Sequence, residues 1–178
     1  MVVRLDAGRD AVRVYVSEQA GRGLSHVTRL VTQDRDSIVA AIDGLSEEEA
    51  TRVTLEGEWV PAQVMAHLNS SLDRSCDRLQ TLSSGRPWVN PAATRGQGSD
   101  VVRPFDDLRR QYTDGKPVII DVLQSADESR GLDLTAEHVE FGPFTWLEWA
   151  VYSHHVHTSD HIGQLQEARA RLRDEAGL

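Results

Sequence analysis

Residues Trp146–Leu172 read WLEWAVYSHHVHTSDHIGQLQEARARL and form the longest helical pattern in the sequence. Four of the seven histidines fall here: His154, His155, His157 and His161. At about 100° per residue, Leu147, Val151, Ile162, Leu165 and Leu172 share one apolar face. His154 and His161 fall inside that face, and His157 lies on its edge beside Trp146 and Gln164. Such a helix either packs its histidines against partners or binds something with them.

The pattern repeats along the chain. Leu24, Val27, Val31, Ile38, Ile42 and Leu45 recur at three- and four-residue steps and predict a helix over 22–43, stopped by Asp43-Gly44. Ser46 followed by Glu49 is a capping-box pattern that opens a short turn. Pro61 suits the first turn of a second helix, where its missing N–H removes no bond. That helix spans 60–82, with Val64, Leu68, Leu72, Leu79 and Leu82 inward and His67 at the margin. Residues 83–104 are rich in Gly, Pro and Ser and read as a long loop, with Trp88 and Val89 able to pack over one bundle end. A third helical region covers 104–127. Pro117 lies inside it, and an interior proline costs about 3 kcal/mol, so a kink or break is expected there. A second loop, 129–142, leads to the histidine helix, with Thr145 as its N-cap. Residues 1–20 are ambiguous: Val12, Val14 and Val16 alternate as in a strand, yet the segment reads equally as an arm or the first turns of a helix. Little strand signal remains, so the chain reads as all-α, most simply a four-helix bundle in one domain over 1–178.

Composition narrows the function classes. The 178 residues carry 19 basic and 28 acidic side chains, a net charge of −9, and Lys116 is the one lysine. A nucleic-acid surface needs Lys and Arg concentrated on one face, so none is expected. No run approaches the ~18 apolar residues of a membrane span, and no signal peptide is read at the start. The lone Cys76 rules out an internal disulfide. A cytoplasmic location is expected. Serine-hydrolase elbows, P-loops and GxGxxG turns are absent from the sequence.

Histidine spacing carries the chemistry. His157 and His161 are four apart, about 40° in angle and 6 Å in rise, and can converge on one ion. His154 and His157 are three apart and offer a second pairing. His154 and His161 are separated by about 10.5 Å of rise, so the three can hardly share an ion. A third ligand must come from elsewhere, and His67, borne on another helix at an apolar margin, is the best placed. Three protein ligands leave an open position, which marks a catalytic rather than a structural site. His155 is expected to face solvent, and His26 and His138 to be ordinary packing or hydrogen-bonding residues.

Two segments together resemble the DinB-like superfamily. Glu58-Trp59-Val60-Pro61 followed by Met65-Ala66-His67-Leu68 is similar to its second-helix entry. His157-Thr158-Ser159-Asp160-His161-Ile162-Gly163-Gln164 is similar to its last helix. The resemblance spans about 22–172 and leaves 1–20 as an added arm. It implies a four-helix bundle with long loops after helices two and three, holding a divalent metal, nickel or zinc, on His67, His157 and His161. His154 then becomes a pocket residue, and Gln164 a group that orients His157 or caps the pocket.

A metal centre of this kind supports hydrolysis, by activating water, or transfer chemistry, by activating a thiolate. The family resemblance implies both types, the second with a low-molecular-weight thiol as cosubstrate. Thr158 stands where a zinc protease would carry its glutamate. His154 and Asp160 are the candidate acid/base groups. Cys76 lies about 180° around the helix from His67 and reads as a small core residue, not the site thiol. The expected partner is a small-molecule substrate, and a homodimer through one helix face is compatible with the shape. The competing class is a non-catalytic metal-binding or stress-response module.

Overall fold

In the computed structural model, which describes residues 8–89, 103–130 and 133–176, the apolar spacing of the sequence becomes a helical bundle. Helices α2 (Leu24–Ile42), α4 (Pro61–Ser70), α5 (Leu72–Ser83) and α6 (Phe105–Ser125) are its early members. The histidine stretch supplies α7 (Trp146–Val151), a π-helical turn (Tyr152–Val156) and α8 (His157–Ala176). Two shorter helices, α1 (Arg9–Ala20) and α3 (Glu47–Thr51), complete the described helices. α2 packs on α6 and α8, and α4 packs on the same two, so His67 and the last helix share an interior. The core includes Val27, Val31, Ile38, Leu82, Phe105, Ile119, Leu123, Trp146 and Leu165, all fully buried. Each large side chain of this kind contributes about 1.5–3 kcal/mol relative to exposure.

Four expectations change. The ambiguous start is a helix from Arg9 onward: Val12, Val16 and Ala20, at four-residue steps, face α7 and α2, while Val14 is exposed. The loop before the histidine helix contains a hairpin, β1 (Thr135–His138) with β2 (Gly142–Thr145), in which Ala136 opposite Phe144 turns inward. A four-residue strand is too short to register as alternation in the sequence. Pro117 does not break α6, because Leu108 and Tyr112 before it and Ile119 and Leu123 after it are all buried and hold both halves in place. Gly115 sits where a Cβ would lie 3.1 Å from Leu72, so glycine lets α6 approach α5 closely.

The expected second helix is instead divided at Ser70-Ser71. Their hydroxyls donate to the carbonyls of His67 and Leu68, a local competition that bends helices at serine pairs. Both predicted caps form. Ser46 and Glu49 close a capping box on α3, and Thr145 and Glu148 close one on α7. Much of the long loop, 90–102, lies outside the described residues, as do 1–7. Trp88 is buried and donates from Nε1 to Asp77, whereas Val89 is exposed. Among the described residues no helix is long and apolar enough to cross a membrane.

Candidate metal centre

The π turn sets the site. In it the N–H of His157 bonds back five residues to the Tyr152 carbonyl. One extra residue in the turn shifts the phase of the helix by about 100° relative to a continuous α-helix. Residues before and after it therefore do not share the faces that a uniform helical count assigns. His155 is the clearest case: expected in solvent, it is 2% exposed.

His67 from α4 and His157 and His161 from α8 meet in one cluster. Their ligand atoms all lie within 4.8 Å of one another. Nε2 of His157 is 2.9 Å from Nε2 of His67 and 3.2 Å from Nε2 of His161. Two imidazoles bound at ~2.0–2.1 Å to one ion are about 3 Å apart, so the spacing fits a shared cation. His161 donates from Nδ1 to Oε1 of Gln164 at 2.8 Å, which leaves the lone pair on Nε2 facing the cluster. That is the outer partner that ligating histidines require. Gln164 thus orients His161 and not His157, because the side chain three residues on lies one turn along the same helix face.

Burial disfavours the charged form of all three imidazoles. Burial, then the neighbouring His161 and His67, push the His157 pKa down to about 3. Burial lowers those of His67 and His161 as well. Neutral imidazole is the ligating form. Trp59, from the loop before α4, packs on the rings of His67 and His161 at centroid distances of 5.0 and 6.1 Å. Its partly exposed indole walls the cluster toward solvent.

The other candidates are not members of that cluster. His154 is 2% exposed, and its Nδ1 lies 3.1 Å from Nζ of Lys116. Asp160 is half-buried and acts on His161 through space, favouring its charged form. Thr158, one residue after His157, is buried. Cys76 is half-buried against the core, and burial raises its pKa, as befits a packing residue. His26 is bonded to Gln19 and Arg29. His138 sits among the rings of Phe141, Phe144, Trp149 and Tyr152.

Three buried polar residues were not read from the sequence. Asp34 accepts from Nδ1 of His155 at 2.6 Å, and Nε2 of His155 then accepts from the Tyr15 hydroxyl at 2.8 Å. Lys116 is 1% exposed, and burial pushes its pKa down to about 7. Arg78 is 7% exposed, with its guanidinium 3.6 Å over Trp149 and 5.1 Å over Trp88. A signal was present for two of them. Asp34 falls in the series Val27, Val31, Asp34, Ile38, and Lys116 in Tyr112, Lys116, Ile119, Leu123, so each charge occupies a core position of its helix.

The sequence profile of the DinB superfamily matches residues 30–165, which include all three clustered histidines. Neither the curated proteins nor the solved structures gave a match.

Proposed function

The chain belongs to the DinB superfamily, and from that premise we propose that it is a metal-dependent enzyme acting on a small molecule by thiol transfer or hydrolysis. The divalent ion, nickel or zinc, is held on Nε2 of His67, His157 and His161. The observation that carries this reading is the convergence of three imidazole nitrogens, two of the separations being 2.9 and 3.2 Å. When bound, such an ion supplies Lewis acidity to a water or thiol at the position the protein leaves open. The chain's own residues do the rest. Gln164 fixes the tautomer of His161, and Trp59 and the helix interior limit water around the cluster. His154, within hydrogen-bond distance of Lys116 and three residues before His157, would be the acid/base candidate on this chain.

Metal analysis tests the assignment. The purified protein is expected to hold one equivalent of nickel or zinc. His67→Ala and His161→Ala are expected to lose it, and His154→Ala to keep it. Metal retained in the first two variants would sink the site. Turnover of an electrophilic substrate with and without added low-molecular-weight thiols then separates transfer from hydrolysis.

A further inference from the structure

Beyond the histidine centre, α8 borders a cleft that no step of the proposed reaction uses. Ser37, Ala40 and Ala41 of α2 face Gln166, Arg169, Ala170 and Arg173 of α8 across a space of about 490 Å3. The two helices pack directly on one another, and alanines on both sides leave room that larger side chains would fill. Small-molecule sites occupy about 300–1,000 Å3, so the cleft is of ligand size. Arg169 and Arg173 follow His161 by about 12 and 18 Å of rise along α8, which sets the cleft apart from the histidine cluster. Its charge is one-sided. Two guanidinium groups line it and no carboxylate does, in a chain of net charge −9. Arg169 donates from Nη1 to the carbonyls of Ala40 and Ala41 at 2.7 and 3.2 Å. These bonds cover the negative end of α2, which would otherwise repel an anion, and hold the guanidinium across the cleft. Arg173, one turn further along the same face, is exposed and makes no hydrogen bond or ion pair among the described residues. Three acidic side chains near the cleft in sequence are engaged elsewhere: Asp36 with Arg35, Glu167 with Arg171 and Glu175 with Arg52. Asp174, next to Arg173, does not line it. Glu49, on which Arg169 acts through space, is bonded to Ser46 in the α3 cap.

We propose that this cleft binds the phosphoryl group of a small phosphate ester, as a second ligand site separate from the histidine centre. Two guanidinium groups one helical turn apart repel one another. A phosphate dianion between them offsets that repulsion and accepts from the planar forks that arginine presents. A carboxylate brings one charge, which a single guanidinium satisfies. Gln166 and Ser37 add an amide and a hydroxyl to the lining, and the methyl groups of Ala40, Ala41 and Ala170 add apolar surface for the organic body of the ester. A bare inorganic ion would leave that surface and most of the volume unused. The inference does not depend on the metal reading, because none of these side chains belongs to the histidine cluster.

The test titrates metal-free, uniformly 15N-labelled full-length protein at about pH 8, where a phosphate monoester is a dianion, and at constant ionic strength. The probes are phenyl phosphate, benzoate, inorganic phosphate and sodium chloride. Phenyl phosphate is expected to move the backbone amide resonances of Ala40, Ala41 and Ala170 saturably and to bind at least tenfold more tightly than benzoate or inorganic phosphate. Chloride is expected to leave those resonances in place. Two variants at exposed positions separate charge from volume. Arg173→Gln removes a guanidinium, and Ala170→Leu fills the cleft with both arginines kept. Each is expected to weaken phenyl phosphate binding at least tenfold, and the wild-type titration decides alone where a variant fails to fold. Benzoate binding as tightly as phenyl phosphate overturns the phosphoryl assignment, and inorganic phosphate binding as tightly overturns the ester. No saturable shift, an equal response to chloride, full affinity in either folded variant, or shifts confined to His67, His157 and His161 overturn the site itself. A zinc titration of the same protein reports on the histidine cluster separately, so either reading can fail without the other.

Discussion

Two histidine clusters lie a few residues apart in this chain and differ in one respect. Around His155 every polar atom is matched: Asp34 accepts on one side of the ring and Tyr15 donates on the other. Around His157 three imidazoles point ring nitrogens at one another, and no carboxylate or hydroxyl is bonded to any of these nitrogens among the described residues. The first arrangement closes on itself and ties α1 and α2 to the π turn. The second has the arrangement that a shared divalent cation would fit. Burial alone does not separate the two; the identity of the partners does.

Asp34→Ala is the sharpest way to break the closed cluster. Removing the acceptor leaves the His155 Nδ1–H buried and unpaired, which costs about 1–3 kcal/mol, so chemical denaturation is expected to show a loss of that order, with metal stoichiometry intact. The open cluster should respond in the opposite sense. At a metal concentration about 100 times Kd, binding stabilises a protein by about 2.7 kcal/mol. Zinc or nickel is expected to raise the melting temperature of the wild type and of Asp34→Ala, and to leave His67→Ala unmoved.

Lys116→Met separates stability from binding. The folded-state pKa of Lys116 is about 7 against an ordinary 10.5. Between those values the unfolded chain holds a proton that the folded one has released, so stability rises with pH across that window, and the full penalty is present below pH 7. An apolar replacement is expected to stabilise the protein by about 2 kcal/mol at neutral pH and to flatten the rise between pH 7 and 10.5, as read from denaturant midpoints. Gln164→Ala should give the smallest effect. Loss of an outer partner weakens metal affinity by about 10-fold or somewhat more, measurable by competition with a chelator, while denaturation barely shifts.

The bundle was legible because its apolar residues follow a single period: Val27, Val31 and Ile38, then Val64, Leu68, Leu72 and Leu79, then Leu165 and Leu172, are all buried where the spacing placed them. His67 was legible as the helix-borne histidine at an apolar margin, and spacing allowed the His157–His161 pair without choosing it over His154–His157. What was hidden had physical causes. The π turn interrupts the count that sent His155 to solvent. Gln164 shares a side of α8 with both His157 and His161, and reach decides between them: it is three residues from His161 and seven from His157. The hairpin was too short to show alternation, and Pro117 was tolerated because tertiary packing outweighed a local preference. Arg78 carried no signal in the sequence, because it stacks on Trp88 and Trp149, which lie outside its own helix.

The π turn also makes the chain tolerant of a length change at one point. The turn holds one residue more than an α-helix needs, so deleting Ser153 would let the five-residue hydrogen bond revert to the four-residue one and leave α8 in its present phase. His157 and His161 would keep facing His67. Loss of one codon between His157 and His161, in continuous α-helix, would instead turn one histidine about 100° relative to the other and take the pair apart without altering any of the three.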